Sequence, residues 1–128
     1  MKPLCLPEEA EDSSSVIVNH GLVVQGWSSN EQDNDKLFLT EINVIVKFNA
    51  ECNQLYKSLV PPGQLRVRLP QLLTSFMFCA GTDNDDSCTS YGDSGGPAFR
   101  RIWSNNSERY ELIGVLSGGF KSRYSKIY

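Results

Sequence analysis

The most constraining feature of this chain is a serine that lies among glycines. Residues 92–97 read Gly-Asp-Ser-Gly-Gly-Pro, and glycines on both sides of Ser94 allow the backbone to turn sharply. Such a turn can bring the N–H groups of Gly92 and Ser94 close to a carbonyl oxygen. Two donors at that position would stabilise the oxyanion that forms when a serine hydroxyl attacks a carbonyl group. The motif therefore predicts a nucleophilic serine suited to acyl transfer.

Length and composition limit the class of protein. With 128 residues the chain is one domain at most. The 12 Lys and Arg residues against 15 Asp and Glu residues give a formal net charge of −3 without a basic stripe, so we expect no nucleic-acid partner. No apolar run approaches the roughly 18 residues of a membrane span, and we expect no membrane partner. The first residues contain no apolar signal region.

The four cysteines, taken alone, are also compatible with free thiols in the cytosol. Cys52 and Cys79 bracket a loop, and Cys88 comes just before the serine motif. No Cys-x-x-Cys or Cys/His spacing supports a metal site, and we expect neither metal nor cofactor. Asn105 begins an Asn-Asn-Ser pattern for N-glycosylation, which is a weak signal by itself. Together these features favour an oxidising, extracytoplasmic setting, and the lack of a leader predicts that N-terminal sequence is missing.

Short runs of apolar and β-branched residues, separated by polar and glycine-rich turns, predict an all-β domain, most simply a small barrel. Alternation from Ile42 to Phe48 indicates a strand with one buried face. One short helix is predicted over 52–59, because Pro-Pro-Gly follows at 61–63, and the turn at 104–109 predicts a hairpin. The predicted strands lie within residues 16–18, 22–27, 37–48, 76–80, 98–103 and 110–117.

A second fold uses a similar motif. Gly92, Ser94 and Gly96 also have the spacing of the nucleophile elbow in α/β-hydrolases, where a strand precedes the serine and a helix follows it. Residues 97–103 predict a strand instead, and no histidine follows Ser94. Both departures argue against the hydrolase fold. On the motif alone, a purely structural glycine turn stays open.

The flanks of the motif resemble the chymotrypsin/trypsin family of serine proteases, in an order that extends over essentially the whole chain. Each matching segment has a known place in that family. These segments are 4–7 (the interdomain linker), 21–27 (the entry into the C-terminal barrel), 77–81 (the strand before the specificity pocket), 86–88 (the pocket floor) and 113–117 (the strand along the substrate cleft). The resemblance implies a trypsin-like serine protease.

The resemblance also implies an architecture. It predicts a linker segment over 1–15 and, over 16–128, the six-stranded antiparallel Greek-key barrel of the family's C-terminal half, with the last strand and terminal helix missing. The N-terminal barrel that carries the triad histidine and aspartate is expected to be missing as well. His20, the single histidine, lies in a turn and is predicted to be a surface residue. Without a general base, this chain alone is expected to be inactive.

Site roles follow from the resemblance, residue by residue. Ser94 is the nucleophile, and Gly92 contributes to the oxyanion hole. Asp93 resembles the carboxylate that pairs with the new N-terminal amine after zymogen cleavage. Asp86 resembles the pocket residue that selects Arg or Lys, because a buried carboxylate compensates the desolvation of a cation. A solvated acidic turn is the alternative for Asp86.

The resemblance assigns further residues to the pocket and to a disulfide. Ser117 and Gly119 are predicted to bind substrate, and Cys52 and Cys79 match a family disulfide across an enlarged loop. Lys126 falls on a position where a glycine usually keeps the specificity pocket open. A lysine there could reach the pocket carboxylate and block the site.

Other departures from the family pattern lie within the segments that are present. Cys88 lacks the partner cysteine usual in the family, and Cys5 lacks the activation segment to which it normally bonds. Another family disulfide is replaced at both ends, by Leu22 and Arg100. Gly118 stands where a tryptophan usually lines the cleft.

Two functions are therefore weighed. The leading prediction is a serine endopeptidase that cleaves a peptide or protein substrate, as part of a longer protein. The alternative is a catalytically inactive homologue that binds a partner through the former substrate surface. The intact serine motif favours the enzyme, whereas Lys126, Gly118 and the unpaired Cys88 favour the homologue.

Overall fold

The computed structural model describes residues 3–7, 17–28, 38–59, 73–82, 93–104, 106–119 and 126–127. These residues contain eight strands and one helix. The elements are β1 (Leu4–Cys5), β2 (Gly21–Ser28), β3 (Phe38–Lys47), α1 (Asn49–Leu59), β4 (Cys79–Gly81), β5 (Pro97–Ser104), β6 (Ser107–Val115), β7 (Gly118–Gly119) and β8 (Lys126–Ile127). The prediction of an all-β domain with one short helix is confirmed.

The eight strands form one sheet in the order β1-β6-β5-β2-β3-β4-β8-β7. Neighbouring strands pair antiparallel, except that β1 joins β6 in parallel, with Leu4 opposite Tyr110. The predicted linker thus contributes a short parallel edge strand to the antiparallel sheet. The two long hairpins, β2–β3 and β5–β6, meet where β2 pairs with β5.

Alternate residues of β2 and β3 point into the core, as a period of two predicts. Leu22, Val24, Val44 and Val46 are all buried, and burying each such side chain contributes roughly 1.5–3 kcal/mol relative to leaving it exposed. The alternation predicted from Ile42 stops at Val46, and Phe48 is 52% exposed because β3 has already ended at Lys47. The core cluster also contains Ile17, Phe78, Ala80, Ala98 and Leu116.

The strand predicted at residues 16–18 is wrong where the structure describes it. Residues 17–20 form a turn in which the His20 N–H donates to the Ile17 carbonyl at 3.0 Å. Asn19 has φ 65°, a left-handed conformation that asparagine tolerates better than most residues. His20 is exposed, which confirms the prediction that it is a surface turn residue.

Helix α1 starts at Asn49, earlier than the predicted start at residue 52. The Asn49 side-chain amide donates to the carbonyls of Thr74 (3.1 Å) and Met77 (2.8 Å). The Met77 N–H also donates to the Thr74 carbonyl, so this segment is a turn and the strand predicted from residue 76 begins only at Cys79. Within the described chain, no helix has the length and hydropathy to cross a membrane.

The disulfide predicted between Cys52 and Cys79 is confirmed. Cys52 and Tyr56 lie one turn apart on α1, so both face the same side of the helix. They form a second buried cluster with Leu73 and Cys79, against which Met77 packs. The disulfide therefore joins α1 to the first residue of β4.

The hairpin predicted around residues 104–109 is confirmed, and it is tight. Ser104 of β5 lies opposite Ser107 of β6, and Asn106 adopts φ 60° in the turn. Positive φ values are those that a two-residue hairpin turn requires. Asn105, the predicted glycosylation site, lies outside the described residues.

An edge-to-face aromatic pair joins the two strands of this hairpin. The rings of Phe99 and Tyr110 have centroids 5.7 Å apart. The Tyr110 hydroxyl donates a hydrogen bond to the Glu108 carboxylate at 2.8 Å, and this bond raises the pKa of Tyr110.

Arg100 and Glu111 form a partly buried ion pair inside the β5–β6 hairpin. The Arg100 Nε donates to Glu111 Oε2 at 2.7 Å, and the Glu111 side chain is only 5% exposed. Leu22, at the other position where the family usually has a cysteine, is buried in the apolar core. An ion pair and an apolar contact thus occupy the two positions at which the family resemblance predicts a disulfide.

Replacing Arg100 by methionine should lower the free energy of unfolding by about 3 kcal/mol, because the Glu111 carboxylate stays buried without its cation. The matched control is Arg101→Met. Arg101 pairs with Glu41 at the same 2.7 Å, but their side chains are 47% and 40% exposed, so its loss should change the value by at most about 1 kcal/mol. Urea denaturation measures the free energy of unfolding of both variants. Equal effects would contradict the conclusion that burial of Glu111 makes the Arg100 pair the more important one.

Candidate active site

The predicted nucleophile lies on a turn of four residues, Asp93 to Gly96, which we call the serine turn. The Gly96 N–H donates to the Asp93 carbonyl at 2.9 Å and closes the turn. Gly95 has φ 86°, the left-handed value that a type II turn requires at its third residue. Ser94 occupies the second position and is exposed. The backbone therefore presents Ser94 at an exterior corner, directly before β5.

Two hydrogen bonds join the serine turn to the segment that follows β6. The Gly95 N–H donates to the Leu116 carbonyl at 2.8 Å, and the Leu116 N–H donates to the Gly96 carbonyl at 2.9 Å. Leu116 is buried in the core, whereas the next residue, Ser117, is exposed. The structure thus brings the predicted nucleophile and the predicted substrate-binding Ser117 to neighbouring segments.

The serine turn also packs closely against β2, a contact that was not predicted from the sequence. Asp93 is 4% exposed, and a Cβ added to Gly26 would overlap its carboxylate oxygen Oδ1. A Cβ added to Gly96 would lie 2.7 Å from the Gln25 carbonyl oxygen and 2.8 Å from that of Asp93. We call Gln25, Gly26, Asp93 and Gly96 the β2 seam. A glycine inside a predicted strand was the available signal, since it often marks close backbone approach.

The predicted pocket residues are brought together only in part. Gly119 and Lys126 are register partners in the β7–β8 pair, and Lys126 also lies opposite Ala80 of β4. The Lys126 backbone therefore lies between two strands that the family resemblance assigns to the pocket region. Gly92, Asp86 and Cys88 lie outside the described residues.

His20 is far from the serine turn. It comes just before β2, and at about 3.3 Å per strand residue it lies roughly 20 Å from Gly26. Cys5 is an exposed free thiol. Over the part of the chain that the structure describes, no three His, Cys, Asp or Glu side chains are grouped to hold a metal ion.

A cavity of about 600 Å³ opens elsewhere, near the start of β2. No residue of the serine turn lines it, and its two cationic residues, Arg100 and Arg101, are paired with Glu111 and Glu41. We therefore do not place the reaction there. The remaining lining residues are Gly21, Leu22, Val23, Asn43, Val44, Ile45 and Thr82.

Comparison with known families decides the class of this chain. The family model described as Trypsin matches residues 1–128. The chain belongs to the trypsin family. This confirms the resemblance drawn from the sequence, while the roles of individual site residues stay predictions.

Several trypsin-family relatives are similar over most of this chain. Melanization protease 1 of Drosophila melanogaster is 31% identical over 117 residues, which cover 91% of this chain and 26% of the relative. Clotting factor C of Tachypleus tridentatus is 30% identical over 128 residues, which cover 98% of this chain and 12% of the relative. Haptoglobin of Sus scrofa is 31% identical over 121 residues, which cover 90% of this chain and 33% of the relative. The chain thus spans at most 33% of the length of these relatives.

The two turn glycines should respond differently to alanine. Gly95→Ala should lower the free energy of unfolding by about 1–2 kcal/mol, since the backbone is left-handed but no atom lies within 4 Å of the new methyl group. Gly96→Ala should lower it by about 3 kcal/mol, because two carbonyl oxygens of the backbone must move. Denaturant unfolding of both variants tests which substitution lowers the free energy of unfolding more. A larger effect at Gly95 would contradict the close packing of Gly96 against β2.

Proposed function

We propose that this chain is the C-terminal barrel, residues 16–128 after a linker at 1–15, of a secreted trypsin-like serine endopeptidase. The observation that carries the proposal is the exposed Ser94 on a turn held by backbone contacts from β2 and from Leu116. A nucleophile needs that combination: the hydroxyl must be accessible while its backbone is fixed.

The reaction proceeds through an acyl-enzyme. The Ser94 Oγ forms a bond to the carbonyl carbon of a peptide, and its proton passes to a histidine supplied by another part of the complete protease. The N–H groups of Gly92 and Ser94 stabilise the oxyanion. The amine half of the substrate leaves with that proton, and water then hydrolyses the ester. Asp93, buried next to Ser94, pairs with the N-terminal amine that zymogen cleavage creates.

The specificity pocket is assigned to Asp86, Ser117 and Gly119, which favours cleavage after Arg or Lys. Secretion is supported by the disulfide in the structure, because such bonds persist mainly in oxidising compartments. Two relatives are named as a melanization protease and a clotting factor. The family resemblance also implies that the loop between the bonded cysteines is enlarged. Both features favour a regulatory protease that cleaves a specific protein.

A fluorophosphonate probe applied to the zymogen-cleaved full-length protein tests the nucleophile. We expect covalent labelling that Ser94→Ala abolishes. The control is Ser58→Ala, which removes an exposed hydroxyl on α1 that donates to the Leu55 carbonyl and should leave labelling unchanged. Absence of labelling in the cleaved wild-type protein, or labelling that survives Ser94→Ala, would count against the enzyme.

One observation favours the second candidate, a non-catalytic homologue that binds a partner. The backbone of Lys126 pairs with both Ala80 and Gly119, so a lysine stands where the pocket wall is predicted. One of the relatives, haptoglobin, is also not named as a protease. A pocket blocked by the Lys126 ammonium group would prevent binding of a substrate Arg or Lys.

Benzamidine, a mimic of the arginine side chain, distinguishes an open pocket from a blocked one. If Lys126 blocks the pocket, Lys126→Ala in the full-length protein should tighten benzamidine binding about tenfold, which is about 1.4 kcal/mol. Lys57→Ala, at an exposed lysine on α1, serves as the control and should leave the affinity unchanged. Tight binding to the wild type with no gain in Lys126→Ala would show that the pocket is open.

A further inference from the structure

Gly26 is a residue at which β2 approaches the serine turn closely. A Cβ at this position would overlap Oδ1 of Asp93 and would lie 2.7 Å from its Cγ and 3.1 Å from its Cβ. Gly21, at the start of the same strand, has no atom within 4 Å of the corresponding position. The crowding at Gly26 is therefore not shared by the other glycine of the same strand.

The Asp93 carboxylate has little room to move aside. Its side chain is buried, and protein interiors are packed too densely to accept a displaced group without further shifts. The Asp93 carbonyl accepts the hydrogen bond that closes the serine turn. Since Ser94 is the next residue in the chain, a displacement of Asp93 is transmitted to the serine.

Gly96 packs against Gln25, the residue of β2 next to Gly26. Its Cα lies so close to the Gln25 carbonyl oxygen that an added Cβ would come within 2.7 Å of it. Gln25 and Gly26 are consecutive, so two successive residues of one strand support the first and the last residue of the turn. This two-point contact fixes the turn more firmly than one contact would.

We propose that Gly26 is a positioning residue for Ser94. Because Gly26 has no side chain, β2 can approach the buried Asp93 carboxylate, and Asp93 then sets the position of Ser94 at the exposed corner. The consequence for reactivity rests on the proposed protease function, whereas the effect on the turn does not.

Hydrogen exchange in the full-length protein tests the effect on the turn. In Gly26→Ala the amide protons of Gly95, Gly96 and Leu116, whose hydrogen bonds hold the turn, should exchange at least about tenfold faster. Gly21→Ala changes the same residue type in the same strand and should leave these three amides unchanged. Unchanged exchange in Gly26→Ala would overturn the proposal.

The rate of phosphonylation tests the consequence for Ser94. Gly26→Ala should slow the maximal labelling rate on the order of 10- to 100-fold, as expected for a misplaced nucleophile, at a nearly unchanged half-saturating probe concentration. A merely structural role would lower the fraction of protein that reacts but not the rate of the folded fraction, and that result would overturn the positioning role.

An Asp93→Ala background shows whether the effect passes through the carboxylate. This variant removes the two atoms that a Cβ on Gly26 approaches most closely and leaves only the contact at 3.1 Å. Gly26→Ala should then accelerate exchange little, and an undiminished acceleration would contradict the proposal. If the wild type is never labelled but exchange responds as expected, protease activity fails while the role of Gly26 in fixing the turn is supported.

Discussion

The close backbone approach between β2 and the serine turn is the constraint on which the site depends. Glycine at positions 26 and 96 lets Asp93 pack against one strand residue and the end of the turn pack against the next. In the sheet, β2 lies between β5 and β3, and the serine turn leads directly into β5. The exposed serine therefore lies on a turn that is supported by an inner strand of the sheet, and not on an unsupported loop. Sites supported in this way hold their geometry better than sites on unsupported loops.

Two interactions that stabilise the fold lie away from this seam. The disulfide joins α1 to β4 beside Tyr56, and the Arg100–Glu111 pair lies inside the β5–β6 hairpin. Neither contact involves the serine turn. The ion pair, which involves one of the two positions where the family resemblance predicts a disulfide, is thus separate from the contacts that hold Ser94.

The sequence predicted the β5–β6 hairpin, the buried face of β3 and the disulfide, because local periodicity and a family resemblance are sufficient for these. It misplaced the start of α1, because the Asn49 side chain binds carbonyls of Thr74 and Met77 that are distant in sequence. From the sequence, Gly26 was only one residue of the segment 21–27 that resembles the trypsin family. The reason for a glycine there is a contact with Asp93, and only the folded chain shows that contact.

A crystal structure of the full-length, zymogen-cleaved protein after treatment with a phosphonate would show whether Ser94 is the nucleophile. We expect a bond from phosphorus to the Ser94 Oγ, with the phosphoryl oxygen about 3 Å from the N–H groups of Gly92 and Ser94. The Asp93 carboxylate should remain buried beside Gly26. An unmodified Ser94 would contradict its assignment as the nucleophile. A phosphoryl oxygen directed away from both N–H groups would contradict the proposed oxyanion hole.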